Sequence, residues 1–371
     1  VLKDATAGIY GVRAANGVII VETKKGQLKS APRWEFSGFQ GMQQTAKKLD
    51  LLNAKEYAIL KNEMFAAGGE AMPFKNTSLG EGTNWQDEIF RTAPMSNYQI
   101  NFSGGNEKTK YFISGGYLTQ EGVVLGSDLK RYSFRVNVES QVNKAIKVGA
   151  NLTPSYNFSN QSLAEGNWQG GGIIQSALTA NPLLSPYNAD GSYTKITGQG
   201  FGLSEVDNAV KIAKEYFHQQ GTSRLLGTAF AEARIIEGLN FKALVGADIR
   251  SFREEIFNPS IINPNSVNDT KLATANNNTV ENRNWLAEFT LNYNKRFGKH
   301  SLSALAGYTV QQEEIEQNSI SATNFPNDII KTINAAGLIS SATSLQEEWA
   351  LLSYLARVNY SFADKYLLTA T

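Results

Sequence analysis

The 371-residue chain has no cysteine and only two histidines, His218 and His300. Without cysteine there is no disulfide framework, no thiol nucleophile and no thiolate metal ligand, which suits a chain that crosses an oxidising compartment. The two histidines have no partner at ligand spacing, so neither a metal centre nor a cofactor site is expected. Charge is nearly balanced, with 35 Lys and Arg against 34 Asp and Glu. No global field therefore draws the chain to nucleic acid. No apolar run approaches the roughly 18 residues of a membrane-spanning helix. The longest, such as Val18 to Val21, are the size of strands. Nor is there an initiating methionine: the chain opens at Val1 on "VLKDATAGIYGVRAANGVIIVETKKG", which reads as the close of one module of a longer parent.

What the chain does have is alternation. In "RYSFRVNVES", Tyr132, Phe134, Val136 and Val138 fall on one face and Ser133, Arg135, Asn137 and Glu139 on the other, the period of a strand. Val148, Ala150 and Leu152 oppose Gly149, Asn151 and Thr153, with Pro154 placed where that strand is expected to end. Leu239 to Ile249 and Trp285 to Tyr293 repeat the pattern. Weaker versions near 34–43, 96–104, 109–119, 222–234, 300–311 and 349–362, and one starting at Tyr366, bring the count to about eleven strands of about ten residues, enough to cross a bilayer when tilted. Mean hydropathy is on the polar side, but a membrane barrel hides its apolar band in every second residue.

The connections alternate as well. "GGNEK", "VNKA", "IIEG", "RFGK" and "ADK" are tight turns. Between them lie polar stretches at 44–95, 119–130, 156–222, 251–284 and 312–348. Short turns at one rim and long loops at the other belong to an outer-membrane barrel, whose two rims face different compartments. Aromatics near strand ends, including Trp34, Tyr98, Tyr111, Tyr156, Trp285 and Phe362, fit an interfacial girdle. Phe134, Val136, Leu152, Val245 and Phe289 are then expected to face lipid, and Arg135, Asn137, Asn151, Asp248 and Glu288 the lumen. Within the first long connection, Asn53 and Glu56 form a capping-box pattern ahead of a helix ended by Gly68 and Gly69. A short helix is also expected over Ile173 to Ala180.

Against this background the opening segment resembles the last part of the plug domain of TonB-dependent outer-membrane transporters. Tyr10, Gly11, Arg13, Asn16 and Gly17 carry the plug motif, and "LKDA", "ANGV" and "TKKG" narrow the likeness to the SusC/RagA type. "LDLLNAKEYAIL", "NWQDEIFRTAP", "NPLLSPYNADGSYT" and "LLSYLARVNYSFADKYLLTAT" are similar to that family too. The resemblance implies an all-β fold: residues 1–30 as the end of a plug, and 31–371 as the N-terminal half, about eleven of twenty-two strands, of a transmembrane antiparallel barrel with long extracellular loops. It implies TonB-dependent import of a glycan or peptide nutrient across the bacterial outer membrane. The partners it implies are a SusD-like lipoprotein lid, membrane lipid and, through a segment ahead of Val1, the TonB complex.

Rival readings are an outer-membrane barrel enzyme and a surface adhesin without transport. An enzyme needs convergent acid, base or nucleophile groups. Glu313, Glu314 and Glu316 could be taken for paired carboxylates, but read better as the solvated base of a long loop. Gly170 to Gly172 lack the Lys and Ser or Thr of a phosphate loop. Plug residues Arg13, Glu22, Lys24 and Lys25 could pair with lumenal charges such as Arg135, Glu139, Glu232, Asp248 and Glu288, although for any one of them a solvated charge in a wet lumen is the better reading. The candidate contacts to substrate or lid are Trp168, Tyr187 and Tyr193, aromatics of the longest connection.

Overall fold

The computed structural model describes residues 19, 23–164, 172–196, 207–262 and 272–371. Its body is one eleven-stranded antiparallel sheet in strict chain order. The strands are β1 (Ser30–Gln43), β2 (Ala93–Gly105), β3 (Thr109–Glu121), β4 (Asp128–Gln141), β5 (Ile146–Asn160), β6 (Phe217–Ile236), β7 (Leu239–Asn258), β8 (Thr274–Phe297), β9 (His300–Thr323), β10 (Leu338–Phe362) and β11 (Tyr366–Ala370). Each pairs with its sequence neighbours, the up-and-down topology of a barrel wall. The eleven strands form a partial barrel.

The register sorts the side chains as the alternation required. Val136 stands opposite Ile113 and Leu152, and Val245 opposite Ala229 and Ala287; Phe289 stands opposite Ala243 and Tyr308. These share one face, with Phe134, Leu152, Val245 and Phe289 all exposed on it. Asn137 opposite Asn151, and Asp248 opposite Asn284, share the other. Aromatics cluster on the apolar face. The Trp34 and Phe102 rings lie 4.4 Å apart, and Phe102 and Tyr111 5.1 Å apart. Further along, Tyr98, Tyr117, Tyr132 and Tyr156 form an unbroken row of cross-strand neighbours.

Three expectations are corrected. The strands are longer than a bilayer requires: β6 and β7 have 20 residues and β10 has 25. Most of the stretches read as loops at 251–284 and 312–348 are strand, as are both ends of 119–130, where Glu121 already pairs with Asp128. Beyond the membrane both faces of a strand meet water, so "NNNTVENRN" forms the outer part of β8 with no apolar face to advertise it. Pro154 does not end β5. It pairs with Leu225 of β6, while the β4–β5 ladder passes from Ser133–Ser155 to Val136–Leu152. A residue without an N–H is tolerated where the ladder opens.

The short turns sit where they were read. Asn106 and Asn143 order two of them, each accepting from two backbone N–H groups through its side-chain oxygen. Gly238 supplies the positive φ of +84° that the β6–β7 turn requires.

At the opposite end the long connections fold on each other. They carry α1 (Ala54–Ala67), α2 (Trp85–Ile89), α3 (Ile173–Thr179) and α4 (Ala209–Glu215). α1 has the expected capping box, Asn53 accepting from the Glu56 N–H and Glu56 from the Asn53 N–H. Trp85, Ile89, Ile173, Ala177, Val210 and Ile212 form a buried core between the helices.

Candidate functional site: the polar face and the capping loops

Several side chains on the polar face are tied to one another across strands. Arg224 of β6 grips Asp248 of β7 with two parallel bonds, Nε to Oδ1 at 2.7 Å and Nη2 to Oδ2 at 2.6 Å. This is the fork geometry that favours Arg over Lys. Glu313 of β9 accepts from Asn282 at 2.6 Å and Asn284 at 3.0 Å, both from β8. Between these groups lies a cavity of about 490 Å³, lined also by Ser155, Thr222 and Arg250. Its lining is amide, hydroxyl, carboxylate and guanidinium, suited to hydrogen-bonding a polar solute and offering no ring to stack on.

Nearer the loops, Glu254 is the hub of a second network. It accepts from Asn278, Gln220 and His218, each at 2.8 Å. Burial alone would raise its carboxyl; the hydrogen bonds from Asn278, Gln220 and His218 outweigh that and hold it below its ordinary value. His218 is thus a member of a polar network.

Two of the lumenal charges have partners within the wall itself, while Arg13 and Glu22 of the plug segment lie outside the described residues. Glu139 is held by Lys110 and Lys147, each at 3.0 Å, and Asp248 by Arg224. Both are partnered inside the wall, because antiparallel register sets opposite charges side by side. Nor do Glu313, Glu314 and Glu316 form the base of a loop. All three lie in β9, where period two sends Glu313 to the polar face and the other two to the opposite face beside Arg283. No trio of acidic or histidine side chains able to hold a metal ion occurs among the described residues.

Of the aromatic candidates, Tyr187 and Tyr193 come together and Trp168 lies outside the described residues, as do Tyr10, Gly11, Arg13, Asn16 and Gly17. The two tyrosines form an antiparallel bridge with rings stacked at 5.5 Å. Tyr193 donates to Glu215 at 2.8 Å, and Lys214 donates to Tyr187 at 2.8 Å. Burial and the Glu215 carboxylate push the Tyr193 hydroxyl above its ordinary value.

Two residues that sequence reasoning missed hold this loop region. Asn208, fully buried, caps α4 by accepting from the Val210 and Lys211 N–H groups, and donates to the carbonyls of Pro186 and Thr194. Its place ahead of the apolar run "AVKIA" was the available signal. Trp85 donates to the Asn181 carbonyl at 3.1 Å, joining the first long connection to the third. Beside it the Thr83 N–H donates to the Pro182 carbonyl at 2.8 Å. A Cβ on Gly82 would stand 2.3 Å from that carbonyl oxygen, in a backbone already at φ +71°, so only glycine fits.

No family model matches the chain. Among curated proteins it is 35% identical over 378 residues to TonB-dependent receptor P3 of Formosa agariphila, covering all of this chain and 36% of the relative. It is 26% identical over 395 residues to TonB-dependent receptor SusC of Bacteroides thetaiotaomicron, covering all of this chain and 37% of that one. Among solved structures the RagAB peptide transporter superposes on 98% of this chain and 44% of its own with a TM-score of 0.79 at 26% identity. The chain thus spans less than half the length of the proteins it matches.

Proposed function

Because the chain belongs to the SusC/RagA type of TonB-dependent outer-membrane transporters, we propose that the protein it forms part of imports a glycan or peptide nutrient across the bacterial outer membrane. Import is driven by TonB acting through a plug, and substrate is held under a SusD-like surface lipoprotein. Residues 1–30 close the plug in this reading, with Tyr10, Gly11, Arg13, Asn16 and Gly17 carrying its motif. Residues 31–371 form half of the wall. The observation that carries it is the superposition on the RagAB peptide transporter over 98% of the chain. The register supports it, because lipid-compatible side chains go to one face and a hydrogen-bonding wall to the other. The relatives are receptors and transporters rather than enzymes.

The joined loops are the proposed meeting place with substrate or lid. Trp168, Tyr187 and Tyr193 are the candidate contacts, on a connection longer than a plain link between strands needs. The test shortens the segment between Gly166 and Gly200 in the full-length protein and measures surface insertion, lipoprotein co-purification and uptake separately. Normal insertion with loss of uptake or of the lipoprotein is the expected result; three normal values overturn the assignment. Uptake of labelled oligosaccharide or peptide that persists without TonB overturns the transport reading itself.

A further inference from the structure

The apolar wall is not uniformly covered. On β2 to β4 the register sets Ile100, Gly115 and Phe134 side by side. Gly115 has no side chain, and a Cβ placed there would meet only a methyl group of Ile100 at 3.5 Å. One strand further, at Pro154, the β4–β5 ladder opens. Beside the missing side chain lies a groove of about 630 Å³, lined by Ile100, Gly115, Phe134 and Pro154 and bordered by the tyrosine row. That volume lies within the roughly 300–1,000 Å³ typical of small-molecule sites. It lies on the outward face of the wall, away from the polar face.

We propose that this groove seats an acyl chain of an anionic, phosphate-bearing lipid of the outer leaflet. The occupant follows from position. The groove is continuous with the bilayer-facing surface, so whatever fills it comes from hydrocarbon. The tyrosine row, with Tyr98 accepting a hydrogen bond from Gln40, marks where hydrocarbon gives way to headgroups. Lys130 is exposed on the same face, two residues past Tyr132 toward the long-loop end, where the register places it beside Phe158. A chain lying over Gly115 therefore brings its headgroup to an ammonium group, which favours a headgroup of net negative charge over a zwitterionic one whose own cation offsets its phosphate. This rests on reading the long-loop end as the cell exterior.

The test uses the full-length protein in phosphatidylcholine vesicles carrying a trace of phosphatidylglycerol with a diazirine on its acyl chain. After illumination, label is mapped by peptide mass spectrometry. Label concentrated on the peptides holding Ile100, Gly115 and Phe134, relative to those holding Val245 and Phe289 on the filled wall, supports the proposal, and Gly115→Leu abolishes the excess. Equal labelling of the two walls overturns it without any variant being needed. With a phosphatidylcholine probe, Lys130→Gln leaves the pattern unchanged, whereas with phosphatidylglycerol it loses the excess over phosphatidylcholine; retention of that excess overturns the headgroup assignment. Label is read on inserted protein whether or not it transports, so failure here and failure of the transport reading are distinguishable.

Discussion

The loops and the wall use apolar side chains in opposite ways. In the loops Trp85, Ile89, Ile173 and Ile212 are withdrawn almost completely from solvent, and the helices that carry them close over a core like that of a water-soluble domain. In the wall Phe134, Leu152, Val245 and Phe289 stand exposed, while charges and amides hydrogen-bond on the inner face. One chain thus obeys one rule in two solvents. Apolar surface leaves water by packing on itself where water is the surroundings, and by facing lipid where lipid is.

The sharpest way to break this contrast is to truncate the loop core. Trp85→Ala removes both the buried ring and the tie to Asn181, and is expected to cost the loop region about 3–5 kcal/mol. Limited proteolysis should cut 44–92 and 161–216 while the strands stay protected and inserted. If strands and loops are lost together, the two regions are not separate in energy. On the wall, Val245→Arg is expected to cost about 2–4 kcal/mol at the middle of the bilayer, whereas Thr228→Arg on the inner face should be tolerated. Urea titration of the folded protein in vesicles distinguishes them, and equal costs would mean the faces are assigned wrongly.

A smaller effect is expected from Asn208→Ala. It leaves the Pro186 and Thr194 carbonyls without their donor, at about 1–3 kcal/mol, and should free the turn bearing Tyr187 and Tyr193 in hydrogen exchange while α1 is unaffected. Smallest is the response to acid. Glu254 is held below its ordinary value, so its contribution is fully present above the unfolded-state value of about 4.3 and is lost as pH falls through the lower folded value. Protection of the outer ends of β6 to β8, corrected for intrinsic exchange, should drop only in that acid window, and Glu254→Gln should remove the dependence.

Where the chain is bathed in lipid on one side, the alternation of Tyr132 to Val138 or of Leu239 to Ile249 is a direct record of the environment, and both the strand and its face could be read. Past the bilayer that record stops, so the outer halves of β8 and β9 carry no strand signal in the sequence. The helix at Asn53 was legible because its cap is a local device. The ties from Trp85 to Asn181 and from Asn208 to Pro186 and Thr194 were not, because those partners lie in other parts of the loops. By itself the sequence determined what is periodic or local: strand number, faces, short turns, the capping box and the resemblance to a transporter family. Only the tertiary structure decided which charges are already neutralised across strands, how two distant loops share a core, and where a missing side chain on β3 borders the same groove as Pro154. Those depend on register and on which loops meet, neither of which a linear pattern encodes.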